Sequence, residues 1–215
     1  METLPNAAGS AAAFDLSGGH PALDLVNTLD NRFEPERAVE RLAEYGDLLR
    51  FVEQTGLMQG ARARQLARLS TAAGAARALR SARELREALA TMLYGGLAGR
   101  APRDAELRCL EEHFHEADAH RQLRWGAAGP HASAPALSWG WGDSRKEPEL
   151  PVWMLAHAAA ALMLSGAREQ IRACGAETCR WLFLDTSKNH TRRWCNMKVC
   201  GNRMKARRFQ ARHAD

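Results

Sequence analysis

The stretch CGAETCRWLFLDTSKNHTRRWCNMKVCGNR occupies residues 174–203 and holds four of the five cysteines of this 215-residue chain. The cysteines form two pairs with the same spacing, C-x4-C, and fifteen residues separate the pairs. Two short loops with two thiolates each can supply the four soft ligands of a tetrahedral zinc site. The sequence therefore predicts one structural Zn²⁺ (Zn2+) held by Cys174, Cys179, Cys195 and Cys200.

Two other uses of paired cysteines stay open, a pair of disulfides and an iron–sulfur cluster. Disulfides need an oxidising compartment, and the first ten residues, METLPNAAGS, lack the basic and apolar segments of a secretory signal. We therefore expect a reducing cytoplasm, in which paired cysteines more often hold a metal. Cys109, the remaining cysteine, falls in a predicted helix and is expected to be a small buried hydrophobe.

Charge divides the chain into two unequal parts. Residues 1–170 carry 19 basic and 22 acidic side chains, whereas residues 171–215 carry 11 basic and 3 acidic ones. Some of these cations would offset the negative charge of four thiolates around Zn²⁺, but a surplus remains. A concentrated positive charge is typical of proteins that bind a polyanion, most often a nucleic acid.

Apolar residues at helical spacing predict five helices in the body, over residues 36–55, 61–70, 75–97, 104–120 and 149–165. Before the last of them, aromatic residues around a Gly/Pro/Ser stretch predict a hairpin with strands over 122–126 and 136–141. Residues 1–13 are small and polar and are predicted to be disordered. The expected fold class of the body, residues 14–168, is mainly α with a small antiparallel β element (α+β).

The C-terminal module, residues 169–215, is expected to be a small four-cysteine zinc finger built from a β-hairpin and a helix. Its elements are a strand over 181–184, a polar turn over 185–190 and a helix over 203–212. One seam of that helix is expected to pack on the metal site: Asn202, Ala206, Phe209 and His213. So small a module has too little core to fold alone, and the metal would supply the missing free energy.

The order of residues in this module resembles the CGNR zinc finger, through both cysteine pairs, the segment 181–189, Arg192-Arg193-Trp194-Cys195 and Cys200-Gly201-Asn202-Arg203. Near the N-terminus, GHPALDLVNT at 19–28 resembles the opening of the ABATE domain, and SARELREAL at 81–89 resembles its central helix. The resemblance covers nearly the whole chain. It implies a bacterial transcription regulator of the stress-induced type.

We expect the finger to bind DNA. Its candidate contact residues are basic side chains on the loop and on the last helix: Lys188, Arg192, Arg193, Arg203, Lys205, Arg207, Arg208 and Arg212. Loop cations would contact phosphates, and helix arginines could reach guanine edges in a major groove. The alternative is a zinc-stabilised module that binds RNA or another protein. DNA binding would place the protein in the cytoplasm, associated with the nucleoid.

The body is expected to sense a small-molecule effector, because a one-component regulator needs an input. Candidate pocket residues are polar side chains within apolar segments: Asp24, Asn27, Arg32 and His157. In the alternative interpretation, Asp24 and Asn27 cap or turn the backbone and His157 is a satisfied core histidine. A homodimer is compatible with a palindromic DNA site, although no coiled-coil heptad shows how it would form.

Two polar helix faces are expected to be solvated rather than functional. One is a row of arginines at i,i+3 spacing: Arg77, Arg80, Arg83 and Arg86, beside Glu84 and Glu87. The other is the stripe Glu112, Glu116 and His120, which could hold a second metal in an enzyme. No HExxH or GxSxG motif is present, so no enzyme is predicted. The longest apolar run, 152–164, is too short to span a bilayer, so no membrane is expected.

Overall fold

The computed structural model describes residues 13–127, 135–142 and 146–212. Its helices are α1 (Pro21–Asn27), α2 (Tyr45–Gln54), α3 (Gly60–Leu69), α4 (Ala72–Leu97), α5 (Asp104–Ala119), α6 (Leu150–Met163) and α7 (Asn202–Arg212). Its strands are β1 (Leu29–Asp30), β2 (Val39–Glu40), β3 (Arg121–Ala127), β4 (Pro135–Trp141), β5 (Ile171–Ala173) and β6 (Leu182–Leu184). Short 3-10 helices span Pro35–Arg37 and Gly166–Gln170, and a π-helix spans Met197–Gly201. The segment predicted to be disordered lies outside the described residues, except for Ala13.

The predicted fold class is confirmed, since helices dominate the body and the strands form small antiparallel sheets. These sheets have two strands each and pair β1 with β2, β3 with β4 and β5 with β6. The predicted hairpin is β3–β4, in which Arg121 pairs with Trp141 and Trp125 pairs with Leu137. The sheet β1–β2 is an addition to the prediction, and the sheet β5–β6 joins the two sides of the first cysteine pair.

The predicted helix over residues 36–55 is wrong in its first half. The chain there forms a 3-10 helix and strand β2, and α2 begins only at Tyr45. Asp47 Oδ2 accepts hydrogen bonds from the backbone N–H groups of Ala43 at 2.8 Å and Glu44 at 2.9 Å, a cap that fixes the start of the helix. Local capping therefore overrides the helical spacing of the apolar residues before it.

Helix α4 carries a deeply buried charge that holds β2 in place. Arg86 is 3% exposed, and its guanidinium forms a two-point ion pair with Glu40, with N–O distances of 2.6 and 2.7 Å. Burial is the largest influence on Glu40 and opposes its ionisation, but the hydrogen bonds from Arg86 and the Leu42 N–H, together with the charges of Arg86 and Arg83, outweigh it and lower the pKa of Glu40. The expectation of a solvated arginine row is therefore wrong at Arg86.

The hydrophobic core is built around α6, which contacts α1, α2, α4 and α5. Leu155 and Ala159 of α6 and Leu85 of α4 have no exposed area. The same core includes Ile171 of β5 and Leu182 of β6, so it extends into the segment that carries the cysteines. No helix in the described parts of the chain combines the length and the apolar character needed to cross a bilayer.

A buried amide joins the C-terminal module, which we call the finger, to α1. The side chain of Asn27 is 3% exposed; its Nδ2 donates to the Leu182 carbonyl and its Oδ1 accepts from the Leu182 N–H, both at 2.9 Å. Asn27 thus satisfies both backbone groups of one β6 residue, as a neighbouring strand would. In the described residues, four further long-range hydrogen bonds join the finger to the body across this seam: Tyr94 to Arg180, Trp181 to Asp30, Leu184 to Gly18, and Asn196 to Ser17.

We predict that Asn27→Ala lowers the free energy of unfolding by about 2–4 kcal/mol, because it leaves a buried N–H and a buried carbonyl of Leu182 without partners. Urea denaturation followed by circular dichroism measures this change. Asn189→Ala is the matched control, since Asn189 is exposed on the finger loop and its loss should cost under about 0.5 kcal/mol. Equal effects of the two substitutions would contradict the assigned role of Asn27.

Candidate metal centre and basic surface

The four cysteine sulfurs of the finger converge on one point. The Sγ atoms of Cys174, Cys179, Cys195 and Cys200 all lie within 4.8 Å of one another. The Cys195 sulfur is 3.6 Å from that of Cys179 and 3.7 Å from that of Cys200. Four Zn–S bonds of about 2.3 Å in a tetrahedron place the sulfurs roughly 3.8 Å apart, so these separations fit a single metal ion.

A tight turn at the end of β5 positions the first cysteine pair. The Cys174 N–H donates to the Trp181 carbonyl at 2.8 Å, and the Cys179 N–H donates to the Ala176 carbonyl at 2.9 Å. Arg180 then adopts a left-handed backbone conformation, with φ of 56°, which turns the chain into β6. The four-residue spacing of this pair therefore follows from one backbone turn.

The second cysteine pair is positioned by Asn196 and the π-helix that follows it. Asn196 Oδ1 accepts hydrogen bonds from the N–H groups of Lys198 at 3.0 Å and Val199 at 3.3 Å. The Cys200 N–H donates to the Asn196 carbonyl at 2.9 Å. This cap turns both sulfur-bearing residues inward, and Cys195 and Cys200 are 3% and 4% exposed.

The pKa values of the four thiols diverge in this crowded space. Hydrogen bonds from the thiols of Cys179 and Cys195 lower the pKa of Cys174, the same bonds to Cys174 raise the pKa of Cys179 and of Cys195, and burial raises the pKa of Cys200. A metal ligand must be a thiolate, and several thiolates in one buried space repel one another. A cation between them would remove that repulsion. The donor set and its spacing therefore both fit one bound metal ion.

A buried carboxylate organises the loop between the cysteine pairs. Asp185 has no exposed area and accepts hydrogen bonds from the Ser187 N–H at 3.0 Å, the Ser187 hydroxyl at 2.5 Å and the Arg192 N–H at 3.0 Å. The hydrogen bond from the Ser187 hydroxyl lowers the pKa of Asp185. The polar turn predicted over 185–190 is confirmed, and it carries the exposed cation Lys188.

Most of the predicted cations of the finger lie at its surface. We define the basic surface as the exposed basic residues of the loop, the π-helix and α7: Lys188, Arg193, Lys198, Arg203, Lys205, Arg207 and Arg208. Lys198 is not among the contact residues predicted from the sequence. The signal that could have identified it is a basic residue between Cys195 and Cys200. The side chain of Arg212, also predicted as a contact residue, lies outside the described part of the chain.

Arg192 is used inside the finger. Its Nε donates to the Trp194 carbonyl at 2.8 Å, and its Nη2 donates to the Cys195 carbonyl. The guanidinium carbon lies 4.6 Å from the centre of the Phe183 ring, a cation–π contact. Arg192 therefore holds the backbone before the second cysteine pair, and we leave it out of the basic surface.

Helix α7 packs on the metal site in a different way from the predicted one. Met204 contacts the cysteine cluster, whereas Asn202 and Ala206 are exposed and Phe209 is 63% exposed. The predicted seam is therefore wrong at these three positions, and His213 lies outside the described residues. Met204 packs in the first turn of α7, and the described cations of the helix are exposed to solvent on several sides.

Two of the four candidate pocket residues meet in one cavity. Asp24 and Asn27 line a space of about 410 Å³ between α1, β2 and Trp181, which we call the seam cavity. Arg32 does not line it, because its guanidinium pairs with Glu87 and donates to the Val26 carbonyl. His157 lies on α6, 3.6 Å from Asp118 and against the Trp141 ring.

Asp24 is an unusual carboxyl group in the seam cavity. Burial raises the pKa of Asp24 to about 7, although the Gly18 N–H donates to its Oδ1 at 2.8 Å and opposes part of the shift. A Cβ at position 18 would approach the same oxygen to 2.6 Å, so this contact requires glycine. Asp24 therefore changes charge near neutral pH.

The carboxylate–histidine stripe of α5 is not gathered into a metal site. His120 Nε2 lies 3.0 Å from Glu116, and the His120 ring stacks on Trp153 at 3.5 Å. Among the residues that the structure describes, the four cysteines are the one group of three or more candidate ligands that could hold an ion.

The geometry defines the class of protein, a helical body that carries a four-cysteine metal finger. Comparison with protein families agrees: the model of the ABATE family, described as "Putative stress-induced transcription regulator", matches residues 19–166, and the model of the CGNR zinc finger matches residues 170–213. The first match covers more than half of the chain, and the chain belongs to the ABATE family. The resemblance noted from the sequence is confirmed in both parts. Both families are of regulatory or zinc-finger type. No curated protein matches the chain.

We predict one metal ion per chain, held by the four sulfurs. Elemental analysis of the purified protein by mass spectrometry measures the stoichiometry and identifies the element. Cys195→Ser removes one of four ligands and should abolish stoichiometric binding. The matched control is Cys109→Ser, because Cys109 lies on α5 outside the cluster and should keep the full metal content. A metal-free wild-type protein with an intact finger would overturn the assignment.

Proposed function

We propose that the protein is a bacterial transcription regulator whose finger binds duplex DNA and is held in shape by one structural Zn²⁺. The observation that carries the proposal is the basic surface, a set of exposed cations on a module whose backbone is fixed at both cysteine pairs. The membership of the ABATE family supports a role in transcription.

The donor set favours zinc over an iron–sulfur cluster. Four thiolates without histidine or carboxylate form a soft site that suits either. A cluster contains several irons and bridging sulfides, so its cysteine sulfurs stand further apart than those around a single ion. Because all four sulfurs lie within 4.8 Å of one another, they match one tetrahedral ion. When bound, that ion supplies folding free energy rather than catalysis.

The distribution of charge supports a polyanion as the partner and the finger as the contact. Residues 171–215 carry 11 basic and 3 acidic side chains, whereas residues 1–170 carry 19 and 22. A phosphate backbone is attracted to the first segment and weakly repelled by the second. The hydrogen bonds of the seam fix the finger on the body, so the body would be held away from the bound nucleic acid.

Helix α7 has the dimensions and side chains of a helix that enters a major groove. Its 11 residues extend about 16 Å, and beyond Met204 the side chains of Lys205, Arg207 and Arg208 are exposed. Arg203 and Arg207 can each make a bidentate contact to guanine, while Lys188 and Arg193 on the preceding loop would bind phosphates. The deep, narrow major groove of RNA duplexes excludes such a helix, which favours DNA.

Two other partners for the basic surface are RNA loops and an acidic protein. Neither needs a groove. An acidic protein lacks the condensed counterions of a duplex, whereas single-stranded RNA gives a salt slope only slightly smaller than duplex DNA, about 0.7 against 0.9 per phosphate. Competition between duplex DNA and RNA therefore separates these two partners better than the salt response does. DNA binding would place the protein at the nucleoid in the cytoplasm.

We predict that affinity for duplex DNA falls by about 10³-fold between 50 and 200 mM salt. The double substitution Arg203→Ala/Arg207→Ala should weaken binding to a specific site by about 2–6 kcal/mol, because it removes two bidentate contacts to guanine, and should leave the slope of log K against log salt nearly unchanged. Gel-shift or fluorescence-anisotropy titrations at several salt concentrations measure both quantities.

The matched control is Arg64→Ala/Arg68→Ala, two exposed arginines with the same i,i+4 spacing on α3 of the body. This variant should bind DNA like the wild type. A flat salt response, no binding to any duplex, or equal losses in both double variants would refute DNA binding by the finger. Preference for a single-stranded RNA competitor would point to the alternative partner.

We further propose that the seam cavity binds a small polar effector. The cavity holds Asp24, Thr28 and Arg50, and Trp181 forms part of its wall two residues after Cys179. A ligand there would contact both α1 and the strand that follows the first cysteine pair. Binding at this position would couple occupancy of the seam cavity to the orientation of the finger.

We predict that at least one metabolite in a panel of amino acids, organic acids and nucleotides raises the thermal unfolding temperature of the wild type. Asp24→Asn should abolish the shift, because it removes the carboxyl group that faces the cavity. Glu111→Gln, an exposed carboxylate on α5, is the charge-matched control and should retain it. A panel without any shift, or a shift unchanged in Asp24→Asn, counts against this cavity as the effector site.

A further inference from the structure

The hairpin β3–β4 exposes a row of large apolar side chains. Leu123, Trp125, Leu137 and Trp139 are 57%, 71%, 61% and 60% exposed. In the register of the hairpin, Leu123 pairs with Trp139 and Trp125 pairs with Leu137. Because side chains alternate along a strand, all four lie on one face of the sheet. We call it the apolar face.

The opposite face of the hairpin is polar, and two of its side chains lie beside the body. Gln122 and Arg124 line a cleft with Met58 and Gln59, residues that connect α2 to α3. Arg124 also donates to the Trp141 carbonyl. An antiparallel sheet with one solvated face usually turns its polar side to water and its apolar side to the core. In this hairpin the polar side chains Gln122, Arg124 and Ser138 are exposed, and the four large apolar side chains are exposed as well. The apolar face therefore lacks the covering that such a face usually has.

The apolar face continues from the core of the body. Trp141, at the base of the hairpin, packs against the core and the His157 ring, and Trp139 and Leu137 follow it outward along β4. Exposed apolar patches of several hundred Å² are uncommon on monomeric proteins and mark interaction sites. The fold itself gains nothing from placing two tryptophans in water.

We propose that the apolar face binds the same face of a second copy of the chain and forms a two-fold symmetric dimer. The four side chains have a self-complementary arrangement, since the two tryptophans occupy one diagonal and the two leucines the other. A two-fold axis between the faces, whether along or across the strands, places every tryptophan opposite a leucine of the partner. Large side chains then alternate with smaller ones across the interface, as packing and isologous symmetry require.

The area of the apolar face is sufficient for this dimer. An aromatic side chain can bury about 150–250 Å² and a leucine somewhat less, so the exposed parts of the four side chains amount to roughly 500 Å² per copy. Two copies would bury roughly 1,000 Å² in total, about the lower limit for a specific interface. We therefore expect a dimer of micromolar rather than nanomolar affinity.

The charges of the hairpin agree with an uncharged partner surface. Among the described side chains of the apolar face, the charged one is Arg121, and its guanidinium lies 4.7 Å from the Trp139 ring centre. No described carboxylate shares this face, so a basic partner finds no complementary charge, and the described cation, Arg121, is already engaged by the Trp139 ring. Nucleic acid is likewise unsuited, and the dimer does not depend on the proposed DNA binding.

Sedimentation equilibrium of the full-length, metal-loaded protein tests the proposal. The wild type should change from the 23.7 kDa monomer to twice that mass as the concentration rises through the micromolar range. Trp125→Glu and Trp139→Glu should each weaken dimerisation at least roughly 30-fold, as expected for a tryptophan at the centre of an interface. Both tryptophans are exposed, so thermal unfolding and metal content should match those of the wild type.

The control variants are Gln122→Glu and Ser138→Glu, which place the same charge on the opposite face of the same strands and should dimerise like the wild type. A wild type that stays monomeric at all concentrations overturns the proposal, as does a dimer that survives both tryptophan substitutions. Flotation of a monomeric wild type with phosphatidylglycerol vesicles, lost in Trp125→Glu, would assign the face to a membrane surface instead. Failure to bind DNA leaves every one of these outcomes unchanged.

Discussion

The convergence of four sulfur atoms is the constraint on which the finger depends. Two turns with different backbone geometry, a β-turn after β5 and a π-helix after Asn196, deliver two sulfurs each to a space less than 5 Å across. Without a cation, four thiolates in this space would repel one another, and that repulsion would push the two turns apart. With one, Arg192 and Asp185 can order the intervening loop, and Met204 can seat the first turn of α7. The metal site thus fixes the backbone from which the cations of the basic surface project.

The body supplies a second constraint, which the metal alone could not. Strand β6 packs on α1 and β5 packs on α4, both strands share the core of the body, and the amide of Asn27 satisfies the backbone of β6. The finger therefore has a fixed orientation rather than a flexible tether. In the proposed effector binding, a ligand that displaces Trp181 would also strain the turn that carries Cys179. Such coupling would need no long pathway, since Trp181 packs on the cysteine cluster and also lines the seam cavity.

What the sequence predicted well is local. Cysteine spacing located the metal site, and apolar periodicity located α3 to α6 and the hairpin, because both signals depend on neighbours within a few residues. The failures involve partners that are distant in sequence. Asn27 is separated by 155 residues from the strand that it completes, and Arg86 by 46 from the carboxylate that neutralises it. The start of α2 was misplaced because one side chain, Asp47, caps the helix nine residues later than the periodicity indicates. Likewise, Met204 packs on the cysteine cluster where the sequence predicted Phe209, and the two residues lie on different faces of α7.

The basic surface and the apolar face would bind their proposed partners through different forces. In the proposed function the basic surface would attract a polyanion through charge, and such binding weakens steeply as salt rises because the release of counterions into a more concentrated solution gains less entropy. The apolar face would associate by removing hydrocarbon from water, and that contribution is maintained or strengthened by salt. Since the described charges of the hairpin are few and one of them, Arg121, lies on a tryptophan ring, the two interactions do not compete for the same groups. Pairing of copies at the hairpin would double the number of basic surfaces presented to one duplex, and it would do so at salt concentrations where a single finger binds weakly. Dimerisation through the apolar face would therefore strengthen DNA binding by a small finger, because linking two weak sites raises the effective concentration of the second.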